Sequence, residues 1–127
     1  MKFILAIALS LSLVGSAIAQ HKHGTHKGPN GGPVEDVAGV HAEFVTVGTT
    51  VTFNILDENN KPLSAKGITG SVLIVSGSER ETVKLSQAGD NALKGDAKKA
   101  VAPKSSVTLM LKTPAGKSGQ ARFTAEK

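Results

Sequence analysis

The clearest pattern in the chain lies within residues 40–57, where apolar and polar residues alternate over 40–44 and again, after Gly48-Thr49, over 51–55. A period of two is typical of a β-strand that buries one face. If Gly48 and Thr49 form a two-residue hairpin loop, Phe44 pairs with Phe53 and Ala42 with Ile55 on one face, while Glu43 pairs with Asn54 on the other. Burial therefore specifies the register, because a slip of one residue would send the two phenylalanines to opposite faces.

Short apolar runs continue along the chain, separated by Gly, Asn, Asp, Pro and Ser clusters at intervals of about ten residues. They predict a second hairpin around Gly77-Ser78, a last hairpin around residues 114–117, a first strand at 34–37 and a weak strand at 92–94. No window shows a helical period. Seven or eight short strands favour an all-β fold, an antiparallel β-sandwich of immunoglobulin-like arrangement. A small Greek-key barrel is the alternative.

The amino-terminal region has a different pattern. Lys2 precedes an apolar run over residues 3–14, and small residues end at Ala17 and Ala19, as in a secretory signal peptide cleaved after Ala19. Residues 20–32 have no apolar side chain, which predicts a flexible tail rich in His and Gly. We therefore expect a signal peptide at 1–19, the tail at 20–32 and a single β domain at 33–127. No transmembrane segment is expected after cleavage, because no other apolar run approaches the roughly 20 residues that a spanning helix needs.

Composition narrows the function. The 127 residues include no cysteine, which excludes disulfide scaffolds and cysteine-ligated metal sites, and the chain is too short for a large multidomain enzyme. The net charge is +5, but nucleic acid is a poor partner for an exported chain whose few phenylalanines are needed in the core. No nucleophile elbow, zinc-protease motif or phosphate-binding glycine loop is present, so we predict no catalytic residues and no enzyme activity.

The histidines are the remaining candidates for a functional site. His21, His23 and His26 fall within six residues of the predicted tail, and His41 is the fourth and last histidine. Imidazole suits Cu(II), Zn(II) and Ni(II), and spacings of two and three residues in a flexible segment let the rings converge on one ion. The tail therefore predicts a transition-metal site. The alternative is that the tail is only a solvated spacer.

His41 and Glu43 form a second candidate group. They are two residues apart on the polar face of the same predicted strand, so their side chains point the same way and can share an ion. The alternative is an ordinary solvent-facing pair. The candidate metal ligands are therefore His21, His23, His26, His41 and Glu43.

A family resemblance supports the metal hypothesis. The run over residues 26–34, His-Lys-Gly-Pro-Asn-Gly-Gly-Pro-Val, followed by the strand with His41 and Glu43, resembles small periplasmic β-sandwich proteins associated with bacterial heavy-metal efflux systems. It is also similar to the amino-terminal region of efflux adaptor subunits. The turn at 57–62 and the segments 67–75 and 88–93 extend the resemblance. It implies a periplasmic location, handling of copper, zinc, cobalt or nickel, and an efflux-complex component as partner, with His26, residues 28–32 and His41 singled out.

The function predicted from the sequence is thus an exported metal-binding protein of periplasmic metal homeostasis or efflux. The competing hypothesis is a non-catalytic interaction module of the cell envelope. In that case the sheet faces, or the lysine-rich stretch 94–104, would dock another protein and the tail would be a spacer.

Overall fold

A computed structural model describes residues 26–126 of the protein. The predicted signal peptide, its cleavage site after Ala19, and His21 and His23 lie outside the described residues. Within residues 26–126, no helix is long and apolar enough to cross a membrane.

The described part of the chain forms eight β-strands and no helix, which confirms the predicted all-β class. The strands are β1 (Val34–Val37), β2 (Val40–Val47), β3 (Thr50–Leu56), β4 (Thr69–Ser76), β5 (Glu79–Ala88), β6 (Ala92–Asp96), β7 (Ser106–Lys112) and β8 (Ser118–Thr124). Their order across the sheet is β1-β2-β3-β6-β5-β4-β7-β8, and every neighbouring pair is antiparallel.

The β2–β3 hairpin has the predicted register, with Phe44 opposite Phe53. Both rings are buried, and Phe123 of β8 joins them with ring centroids 5.3–5.6 Å apart. In this aromatic cluster, β2 and β3 from one end of the sheet order pack against β8 from the other end. It accounts for all three phenylalanines of the described chain.

Strand β5 joins the sheet into one structure. Its first part pairs with β4 and its last three residues pair with β6, so β5 belongs to two layers, β1-β2-β3-β6 and β5-β4-β7-β8. In the immunoglobulin arrangement the two sheets are separate, whereas here the layers are continuous and the sheet nearly closes into a barrel. Sandwich and barrel, posed as alternatives from the sequence, are two descriptions of this nearly closed sheet.

The remaining gap is the seam between β1 and β8, which lie side by side without a ladder of strand hydrogen bonds. At one end the strands are in close contact, because a Cβ added to Gly119 would lie 2.9 Å from the Ala38 nitrogen. At the other end Lys27 Nζ lies 3.6 Å from Glu126 Oε2. The described chain therefore begins at the end of the seam opposite Gly119.

Candidate functional site

The candidate site is the outer face of β1, β2 and β3. Odd-numbered residues of β2 and even-numbered residues of β1 and β3 point away from the core, since their sequence neighbours fill it. We call this surface the covered face, because the segments 28–32 and 57–62 fold over it. It consists of Val34, Asp36, His41, Glu43, Asn54 and Leu56.

Glu43 is fully buried although its strand face points outward. Its carboxylate accepts hydrogen bonds from the Asn30 backbone N–H and the Asn30 side-chain amide, both at 2.8 Å, and from the Gly32 N–H at 2.9 Å. The Asn54 amide is 3.4 Å away. Among residues 26–126, four donors and no cationic side chain surround the carboxylate, and these donors satisfy the hydrogen-bonding capacity of a buried acid.

The segment that covers Glu43 is part of the predicted flexible tail. Gly28 donates its N–H to the Gly32 carbonyl at 2.7 Å, and Val34 donates its N–H to the His26 carbonyl at 2.8 Å. Residues 26–32 thus form a turn against the start of β1. The sequence offers no apolar anchor for this turn, and the physical reason for its order is the buried carboxylate, whose oxygens hold its backbone.

His41 occupies the other half of the covered face. Its Nε2 lies 2.7 Å from Asp36 Oδ1 across the β1–β2 pair, and its Nδ1 lies 3.4 Å from Asn60 Oδ1. The imidazole side chain is 27% exposed, while that of Asp36 is 85% exposed. His41 is thus held on both ring nitrogens by oxygens, one of which belongs to a carboxylate at the surface.

The turn after β3 supplies a second carboxylate near His41. Asp57 Oδ1 accepts N–H bonds from Asn59 at 2.8 Å and from Lys61 at 3.0 Å. The backbone hydrogen bond from Lys61 is the largest of the causes that lower the pKa of Asp57, and the positive charges of Lys61 and His41 act in the same direction. Asp57 thus keeps its negative charge beside an open surface cavity of about 480 Å³ that is also lined by Asp36 and His41.

The predicted ligands are therefore placed differently from one another. His41 and Glu43 share a strand face, as expected, but Glu43 faces the 28–32 turn and His41 faces Asp36. His26 is exposed and lies beside Val34 at the edge of the same face. Among residues 26–126, no three His, Asp or Glu side chains are grouped closely enough to hold a metal ion.

Sequence reasoning missed Asp36 and Asn60 as partners of His41. The signal for Asp36 was present, because Ala38-Gly39 forms a two-residue turn in which both residues have positive φ, and such a turn pairs Asp36 with His41. Asn60 is 19 residues from His41 and arrives through the turn after β3, so no local pattern could have indicated it.

Comparison with known proteins adds no relative. No family model, no curated protein and no solved structure matches this chain. The resemblance to proteins of heavy-metal efflux therefore stays a prediction that is based on residues 26–34 and the strand after them.

Proposed function

We propose that this protein is exported to the periplasm and binds Cu(II), Zn(II) or Ni(II) in metal homeostasis or efflux, with His41 as the fixed ligand and His21, His23 and His26 as ligands from the tail. The observation that carries the proposal is the His41–Asp36 pair at the surface. A carboxylate that orients an imidazole through one ring nitrogen is the usual support of a metal-binding histidine. In this proposal Asp36 holds Nε2, and the ion takes the place of Asn60 at Nδ1, where the contact is the longer of the two. In this proposal Glu43 holds the 28–32 turn and is not a ligand.

The tail starts close enough to reach His41. The bridge between Lys27 and Pro33 places His26 beside Val34, on the edge of β1 that faces away from β2. Val34 pairs with Glu43, so His26 is displaced from His41 by two residues along the strand direction. With strands about 4.8 Å apart and about 3.4 Å per residue, the His26 and His41 backbones are roughly 12 Å apart. Three residues span at most about 11 Å and five about 18 Å. The reach of His23 and His21 therefore includes the Asp36–His41 surface.

The packing at the seam also favours an approach of the tail to the covered face. Close contact of β8 with Ala38 leaves no room for another strand along the whole edge of β1. A tail that contacts the domain can therefore lie against the covered face. There Asp36, Asp57 and Glu58 supply the negative potential that attracts a dication. An ion that binds there gains nitrogen ligands from the tail and one from the folded domain.

The test is a Zn(II) titration of the chain from Gln20 to Lys127, followed through the ring signals of His41 by NMR and through heat by calorimetry. We expect His41 to shift in the same concentration range as the tail histidines. The triple variant His21→Gln, His23→Gln, His26→Gln should abolish the shift of His41. The variant Lys22→Gln, Lys27→Gln, which changes the same segment and keeps its histidines, is the matched control and should retain the shift.

Substitution is preferable to truncation here, because deletion through residue 30 would also remove Asn30 from Glu43. His41→Gln should weaken zinc binding by at least about tenfold, because loss of even an outer-shell partner of a metal ligand costs about 10–100-fold. Binding should also weaken as the pH falls through roughly 6.5, where imidazole takes up a proton that competes with the metal.

Two results would contradict the proposal. If the His41 signals stay unchanged while the tail binds zinc, the domain does not take part in the site. If binding is only millimolar, or equal in the triple variant and in the control, the tail is a spacer and the interaction-module hypothesis gains.

A further inference from the structure

The surface on the opposite side of the molecule is unusual in its charge. We call the outer face of the layer β5-β4-β7-β8 the basic face. Its outward residues are Arg80, Thr82, Lys84 and Ser86 of β5, Thr69, Ser71, Leu73 and Val75 of β4, Ser106, Thr108, Met110 and Lys112 of β7, and Ser118, Gln120, Arg122 and Thr124 of β8. Four of these sixteen side chains are cationic and none is acidic.

The four cations are all exposed, and within residues 26–126 none of them forms an ion pair. Lys94 of β6, which pairs with Ser86, adds a fifth exposed cation at the rim. The carboxylates Asp36, Asp57 and Glu58 lie on the other side, at the covered face. The basic face therefore has a positive potential that attracts a negatively charged surface.

The spacing of the cations prevents a single small anion from neutralising all four of them. Lys84 and Arg122 lie three strands apart, a distance of about 14 Å, and Arg80 and Lys84 are four residues apart on one strand, about 13 Å. These are backbone distances, and even with extended side chains one phosphate cannot contact all four groups. The face therefore fits a partner that presents many negative charges spread over a plane.

The residues between the cations further restrict the class of partner. They are hydroxyl-bearing side chains with half-buried Leu73, Val75 and Met110 in the middle, and none is aromatic, so a sugar ring has no stacking platform. The central strands β4 and β7 are hydrogen-bonded on both sides, so they offer no backbone groups to an added peptide strand. A layer of lipid headgroups can bind to this face without an aromatic stacking surface and without free backbone groups.

We propose that the basic face binds the surface of an anionic phospholipid bilayer, with Arg80, Lys84, Lys112 and Arg122 each contacting separate headgroups. This role is independent of the metal site, which lies on the opposite face. Each cation near such a surface strengthens binding roughly fivefold. The attraction should weaken with salt, because screening shortens to about 8 Å at physiological ionic strength.

The experiment is co-sedimentation of the chain from Gln20 to Lys127 with vesicles, in low salt and with a chelator so that metal ions cannot bridge. One set of vesicles is phosphatidylcholine, and the other contains equal parts of phosphatidylcholine and phosphatidylglycerol. We expect binding only to the second set. The variant Lys84→Gln, Arg122→Gln should bind about 25-fold more weakly, because it loses two cations of the face.

The matched control is Lys61→Gln, Lys66→Gln, which removes two exposed lysines from the loop between β3 and β4 and changes the net charge equally. It should bind nearly as well as the unaltered chain. Three results would overturn the proposal: no binding to anionic vesicles, equal losses in the two variants, or binding to soluble polyglutamate without binding to vesicles. The last result would indicate an acidic protein as the partner.

Discussion

Asn30 donates two hydrogen bonds to Glu43, one from its backbone and one from its side chain, both at 2.8 Å. This single relationship connects a polar turn near the amino terminus to the second strand, 13 residues later. It explains why a carboxylate can be fully buried on the outer side of a sheet. It also makes the turn over residues 28–32 part of the fold.

Removal of the Glu43 carboxylate should therefore destabilise the domain. In Glu43→Ala the Gly32 N–H and the Asn30 donors lose their acceptor and a cavity opens, so we expect a loss of about 3 kcal/mol in the free energy of unfolding. Glu43→Gln keeps the volume and one acceptor oxygen and should lose less. Urea unfolding measures both variants. A loss below about 0.5 kcal/mol in Glu43→Ala, the range of ordinary surface changes, would show that the turn does not depend on Glu43.

The two glycines that end this turn should respond differently to substitution. A Cβ on Gly32 would lie far inside van der Waals contact distance of the Phe44 carbonyl oxygen, so Gly32→Ala forces the turn away from β2 and should destabilise the domain by more than 2 kcal/mol. Gly31 has a φ of 81° and open space around it, and asparagine tolerates that conformation.

Gly31→Asn is therefore the matched control, and thermal unfolding should place it close to the unaltered protein. Equal midpoints for the two variants would contradict the contact between Gly32 and Phe44.

The Asp57 turn should give a pH-dependent contribution to stability. The pKa of Asp57 is lowered from its ordinary value of 3.8, chiefly by the Lys61 backbone hydrogen bond. A lowered carboxyl pKa stabilises the folded state above the ordinary value, and this contribution is lost as the pH falls through the folded-state pKa. Asp57→Ala should therefore unfold at lower urea than the unaltered protein at pH 7, and the difference should shrink below pH 3.8.

Glu58→Ala is the control for this turn, because Glu58 is the exposed next residue. Its unfolding midpoint should follow that of the unaltered protein at each pH. A gap between Asp57→Ala and the unaltered protein that stays constant down to pH 2 would contradict the assignment.

The β2–β3 hairpin offers a test of which valines hold the core. Val51 is fully buried and Val47 is 76% exposed, four positions away on the other side of the turn. Val51→Thr buries a hydroxyl among apolar side chains and should cost about 1–3 kcal/mol in the free energy of unfolding. Val47→Thr should stay within about 0.5 kcal/mol. Equal effects in urea unfolding would contradict the observed register.

Much of the fold could be predicted because short stretches of sequence determine the strands and the tight turns between them. The Gly48-Thr49 turn and the alternation around it sufficed to place Phe44 opposite Phe53. The Gly77-Ser78 turn likewise predicted that β5 pairs with β4, but the pairing of the last three residues of β5 with β6 could not be predicted from a local pattern. A strand that bends between two layers has no distinct periodicity.

The sequence alone determined the approximate positions of the strands, the register of the β2–β3 hairpin and the polar face that carries His41 and Glu43, since a period of two and two-residue turns act over short distances. Only the tertiary structure decided that Glu43 is buried and that His41 meets Asn60. It also gathered Arg80, Lys84, Lys112 and Arg122 onto one acid-free face. Burial and charge clustering depend on which distant segments pack together. Alternation reports which residues share a face of a strand, but the sheet order decides what covers that face.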